Sequence, residues 1–188
     1  MLEKDGVGIS NAEIQSSKLE KTRPQQRVEI IAQCPENFPD TLKQYEKGTV
    51  IHQVKEGRLI DDQIPQALVK ILLKIIDSEK ITDGILRCWA RRGVKKTKGL
   101  DQWHVDGETV FLYSNILPTE IIRDPNMEFR VGQNGRLLPD SAIPRTEDIW
   151  SPPDGAVVKM SGDVLHRRPH QAIGIEERFL LRIDPKSV

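Results

Sequence analysis

The sequence predicts a mainly β fold with flanking helices, an α+β chain of the β-sandwich or jelly-roll kind. Three observations predict it. One long amphipathic helix is followed by a series of short strand-like runs. Clusters of Gly, Pro and Asp separate those runs. The helix carries an apolar stripe that has to be covered, and a sheet face is the natural partner.

Taken in order, residues 1 to 26 are polar, with few large apolar groups, and read as a mobile N-terminal arm. Order is expected from residue 27, so that 27–188 form a single domain, a length sufficient for a real core. Arg27 to Ile31 and Thr49 to Val54 are strand-like. Between them Pro35 and Pro39 bracket a loop, where Asp40 can cap a short helix. The clearest helix runs from about Asp62 to Ser78. Ile64, Leu68, Ile71, Leu72 and Ile75 recur at helical spacing, and Pro65 falls in the first turn, where its missing N–H costs nothing. After Gly84 the pattern changes to strands: Ile85 to Ala90, Val110 to Leu117, Met127 to Val131, Ala156 to Met160, Val164 to Arg168 and Arg178 to Ile183. The stretch Pro118 to Pro153 reads as a long irregular insert containing Asn134-Gly135, a hairpin-turn dipeptide.

Composition narrows the function. The formal net charge is zero, whereas a general polyanion binder needs a basic balance. Nucleic acid is therefore not expected as a partner. Cys34 and Cys88 stand alone, with no CxxC spacing, so neither a disulfide framework nor a zinc site is expected and a reducing cytoplasm is the default. The segment MLEKDGVGIS has no apolar core, so no signal peptide is expected, and no run of 18 apolar residues suggests a membrane span.

The chemistry-bearing residues lie in the second half. On a strand, side chains alternate faces, so His104 and Asp106 point one way while Val105 points into packing. His166 lies in a second strand-like run. Two histidines and one carboxylate on one face of an ion suit Fe(II) and leave other positions open. A His-x-Asp motif by itself is weak, since a surface His–Asp hydrogen bond gives the same pattern. The segment Gly155-Ala156-Val157-Val158-Lys159-Met160-Ser161-Gly162-Asp163-Val164-Leu165-His166-Arg167 adds to it. It resembles the distal-histidine hairpin of the Fe(II)/2-oxoglutarate-dependent oxygenases. In that family a loop then leads to an arginine that opens the last strand, here Arg178. The resemblance covers roughly Trp89 to Asp184. It implies a double-stranded β-helix, a metal held by His104, Asp106 and His166, and 2-oxoglutarate as co-substrate with Arg178 on its distal carboxylate. A guanidinium meets a carboxylate through two parallel hydrogen bonds. Arg182 is the reserve for that role and Arg168 a third choice.

Other assignments are open on the sequence. His166 and His170 share a face of a regular strand, so either reaches the metal. Tyr113 shares a face with Asn115; it either hydrogen-bonds the co-substrate or packs in the core. Arg87 and Trp89 share a face that can border the cavity, and Trp103 can wall it. The run Arg91 to Lys98 holds five cations in eight residues. Such runs are ordinarily solvated, but this one precedes His104 and can receive an anionic substrate. The expected activity is hydroxylation of a small molecule or a side chain. Its competitors are a cupin-type metal enzyme that does not use 2-oxoglutarate, which has no need of Arg178, and a non-catalytic jelly-roll binding module.

Overall fold

The structure, a computed structural model, describes residues 27–43, 49–92, 102–124, 126–169 and 178–186. The expected N-terminal arm, His170 and residues 93–98 of the basic run lie outside the described residues.

In chain order the elements are β1 (Val28–Gln33), α1 (Phe38–Leu42), β2 (Thr49–Lys55), β3 (Arg58–Leu59), α2 (Gln66–Glu79), β4 (Gly84–Arg92), β5 (Val110–Ser114), β6 (Glu120–Ile122), β7 (Ile149–Trp150), β8 (Ala156–Met160), β9 (His166–Arg167) and β10 (Phe179–Lys186). The larger sheet has the order β1-β8-β5-β10-β4-β2-β3, with antiparallel neighbours throughout. A smaller antiparallel sheet has the order β7-β6-β9. His104 joins its edge through a bridge to His166 and is bridged on its other side by Arg136. From β4 onward the chain shuttles between the sheets. β4, β5, β8 and β10 lie in the larger one; His104, β6, β7 and β9 lie in or against the smaller one.

Helix α2 forms where the apolar stripe predicts it, although it begins at Gln66, with Pro65 as its extended N-cap. Leu68, Ile71, Leu72, Ile75 and Ile76 are buried against Leu86, Cys88, Phe111, Tyr113, Phe179, Leu181 and Ile183 of the larger sheet. Each fully buried Leu or Ile contributes about 1.5–3 kcal/mol, so this seam is a major source of cohesion. One face of the last strand, Phe179, Leu181 and Ile183, meets the helix. The opposite face of the same sheet contributes Val110, Leu112, Val158 and Met160 to a second cluster, which Ile121 of the smaller sheet completes. A third cluster, Trp103, Ile122 and Leu165, is covered by Met127, Phe129 and Leu137 of the insert.

Several expected elements are corrected. Met127 to Val131 is not a strand; only Val131 is bridged, to Leu137. Its alternating apolar residues instead lie over the smaller sheet. The run expected to extend to Leu117 stops at Ser114, because Ile116 and Leu117 turn the chain at positive φ, 44° and 61°. The insert is not wholly irregular, since it supplies β6 and β7. Asp40 lies in the first turn of α1 rather than capping it, and Asn37 stands at the N-cap.

Candidate metal centre

His104, Asp106 and His166 come together as the sequence predicts. Each offers one ligand atom, and the three atoms lie within 4.8 Å of one another. Two reciprocal backbone bonds lock the histidines side by side: His104 N–H donates to the His166 carbonyl at 3.0 Å and His166 N–H to the His104 carbonyl at 2.9 Å. The ring centroids are 4.4 Å apart. Val105 faces the third apolar cluster, so the alternation that turns His104 and Asp106 inward holds.

Both imidazoles are oriented by backbone. Nδ1 of His104 lies 2.9 Å from the Gln102 carbonyl, and Nδ1 of His166 lies 2.9 Å from the Val164 carbonyl. A carbonyl only accepts, so each Nδ1 carries a proton, which leaves Nε2 as the ring atom that can ligate a metal. Burial, followed by the neighbouring His166, lowers the pKa of His104 and favours the neutral, ligating form. Nε2 of His166 is 3.3 Å from Asp106 Oδ2. Burial alone would raise the Asp106 carboxyl. The His166 hydrogen bond and the charges of His166, Arg182 and His104 outweigh burial and hold it at about 2. Two imidazoles offering Nε2 and one carboxylate form a donor set that fits a divalent transition metal such as Fe(II). The carbonyls behind the rings are the outer partners that fix ligand orientation at such sites.

Glycines bring the segments together. A Cβ on Gly162 would overlap the backbone of Gly107 and Glu108, where the Gly107 N–H donates to the Gly162 carbonyl at 2.7 Å. Gly135, at φ +73°, sits against the Val105 carbonyl, and its own carbonyl accepts the Val105 N–H at 2.8 Å. The expected Asn134-Gly135 turn is thus the hairpin that flanks the His104 edge.

The remaining expected residues separate. Arg178 is 5% exposed; its Nε donates to the Leu117 carbonyl at 2.9 Å and its Nη2 to Thr119 Oγ1 at 3.3 Å. Burial, and then the charge of Arg168, push its pKa down to about 10, so it remains cationic at neutral pH. Among the described residues its hydrogen-bond partners are neutral. Arg182, the reserve for the same role, is engaged differently: its Nη1 donates to Asp106 Oδ1 at 2.8 Å and its Nε to Asp184 Oδ1 at 2.7 Å. A guanidinium already held by acids is not a free carboxylate receptor. Tyr113 is also corrected. It lies in the helix-side core, edge-on to Phe38 with ring centroids 4.8 Å apart, on the face of β5 opposite Leu112. Trp103 belongs to the third cluster, beneath the Arg167 guanidinium. Trp89 lies against Arg182, whose guanidinium is 4.9 Å from the ring centroid.

Sequence reasoning missed the carbonyls of Gln102 and Val164, Thr119, and the link from Arg182 to Asp106. The i, i+2 spacing of Arg182 and Asp184 signals only the separate bond between those two residues.

The site belongs to a mainly β protein with a His–Asp–His group suited to a metal. Comparison with known proteins adds little beyond that. No family model matches the chain. A stretch of 139 residues, 71% of the chain, is 26% identical to an Arabidopsis thaliana protein described as the inactive leucine-rich repeat receptor-like protein kinase CORYNE. The match covers 32% of that relative, so the chain spans about a third of its length. Among solved structures, a C-terminally truncated Neurospora crassa protein, in apo form, aligns over 77% of this chain and 67% of that one, at 14% identity and a TM-score of 0.34. Among the described residues no helix is long and apolar enough to cross a membrane.

Proposed function

We propose that this chain is an iron- and 2-oxoglutarate-dependent oxygenase built on a double-stranded β-helix. The observation that carries the reading is the His104–Asp106–His166 group, with both Nδ1 atoms tied to backbone carbonyls and Asp106 held ionised. The alternation of strands between two sheets supports the β-helix. His104, Asp106 and His166 would hold Fe(II). Iron supplies the O₂ chemistry when bound, coupling oxidative decarboxylation of the keto acid to hydroxylation of a substrate C–H bond.

The protein's part is to bind, orient and exclude water. Arg178 is the anchor for the distal carboxylate of 2-oxoglutarate. It is buried and cationic, and it lies four residues before Arg182, roughly 13 Å along an extended chain. Thr119 is a neutral partner that steadies it. The substrate is a small molecule or a side chain, anionic if the Arg91–Lys98 run rims the site. The setting is cytoplasmic.

One observation favours the cupin-type alternative without 2-oxoglutarate. The bonds from Arg178 to Leu117 and Thr119 also pin the strained turn after β5, which is reason enough for a buried arginine. Calorimetry separates the two. Mn(II) is expected to bind the wild type at one site, and 2-oxoglutarate to bind the Mn(II)-loaded protein. Arg178→Met should keep Mn(II) and lose on the order of 2–5 kcal/mol of 2-oxoglutarate affinity, the cost of removing one partner of a buried charge pair. Mn(II) binding with no 2-oxoglutarate binding selects the cupin-type enzyme. No metal binding at all overturns both.

A further inference from the structure

We infer that Arg182 is a positioning residue that keeps Asp106 a one-oxygen metal ligand. The inference rests on the metal-binding reading of the His104–Asp106–His166 group and assigns a role outside that ligand set.

The two oxygens of Asp106 have different neighbours. Oδ1 accepts a hydrogen bond from Arg182 Nη1 at 2.8 Å, whereas Oδ2 is the oxygen 3.3 Å from His166 Nε2. A carboxylate can hold a metal through one oxygen or through both. Chelation through both would set the metal against the Arg182 guanidinium at Oδ1, two cations sharing an oxygen whose charge-assisted bond is the stronger kind of hydrogen bond. Arg182 therefore leaves Oδ2 as the metal's oxygen. One ligand atom from Asp106 in place of two keeps a coordination position open for reactants.

Arg182 can impose this geometry because it is itself held on every side. Its Nε donates to Asp184 Oδ1 at 2.7 Å, and Asp184 is 1% exposed. Its Nη2 lies 3.5 Å from Glu108 Oε1, and Glu108 is paired in turn with Lys186. Its flat face lies over Trp89. The register places Arg182 opposite Leu112 on β5 and Trp89 on β4, in the middle of the larger sheet. Rigid strands thus fix the guanidinium, and the guanidinium fixes a ligand that comes from the loop before β5. A co-substrate anchor would need these edges free; the structure directs them at acids.

The test uses Mn(II) affinity, the visible absorption of the Co(II)-loaded protein, whose intensity reports coordination number, and thermal unfolding of the metal-free protein. Arg182→Met should weaken Mn(II) binding 10–100-fold, the usual effect of losing an outer partner. It should also lower the Co(II) absorption as the coordination number rises. Arg182→Lys, which keeps a charged donor, should restore part of both. Asp184→Asn, which touches Arg182 but not Asp106, should move the Co(II) spectrum in the same direction by less. An Arg182→Met protein that folds, binds Mn(II) within twofold of wild type and keeps the wild-type spectrum overturns the inference. If Arg182→Met does not fold, unchanged spectra in both Arg182→Lys and Asp184→Asn overturn it instead. A wild type that binds neither Mn(II) nor Co(II) overturns the metal reading, and the inference with it.

Discussion

Asp106 meets His166 on one oxygen and Arg182 on the other, and this crowding sets its acidity. Its carboxyl sits at about 2 in the fold, against about 3.9 in an unfolded chain. A depressed carboxyl contributes stability that is complete above the unfolded value and lost as the pH falls through the folded one. The shift corresponds to on the order of 2 kcal/mol. The stability difference between metal-free wild type and Asp106→Asn should therefore shrink by about that amount between pH 5 and pH 2, measured by urea unfolding at stepped pH. A difference independent of pH would mean that the ion pairs around Asp106 do not stabilise the fold. The inward turn of His104 and Asp106 was legible, because strand alternation fixes it and Val105 marks the other face. The face of Tyr113 was not. Every residue of β5 is buried, so its apolar sequence marks neither side as the one toward the site. The partner of Arg182 was equally hidden, since Asp106 is brought to it only by folding.

Among the elements, α2 was the most legible, because five apolar residues at helical spacing leave little choice. Leu72 is fully buried against the sheet. Leu72→Ala should cost about 2–5 kcal/mol, read as a lowered denaturant midpoint, with the metal site's affinity unchanged in the folded fraction. The short strands β6, β7 and β9 have two or three residues each, too few to display a period of two. Met127, Phe129 and Leu137 show the converse: alternation without a strand, because these residues cover the smaller sheet instead of joining it. The turn between β8 and β9 carries a sharper expectation. Gly162 abuts the backbone that follows Asp106, so Gly162→Ala has to push residues 107 and 108 away. It should weaken Mn(II) binding as well as lower the unfolding temperature. A variant that is less stable yet binds Mn(II) as the wild type does would uncouple this contact from the site.

At the scale of the molecule, the metal ligands come from segments some sixty residues apart, which meet because the chain alternates between two sheets. The order of those pairings is long-range and could not be read from local patterns; the resemblance of the Gly155–Arg167 hairpin supplied the expectation instead. A site assembled this way couples ligand binding to the folding of both sheets. Mn(II) held at 100 times its dissociation constant should stabilise the protein by about 2.7 kcal/mol, provided it binds only the folded state. Hydrogen exchange should localise the effect. The amides of His104, Val105 and His166 close the bonds that tie the smaller sheet to the insert hairpin, so a bound metal should slow their local opening. The β2–β3 hairpin lies at the far edge of the larger sheet, and its amides should be spared except where they exchange through global unfolding. Metal-bound protein whose His104 and His166 amides exchange as fast as those of the metal-free protein would show that an ion, if bound, is held elsewhere.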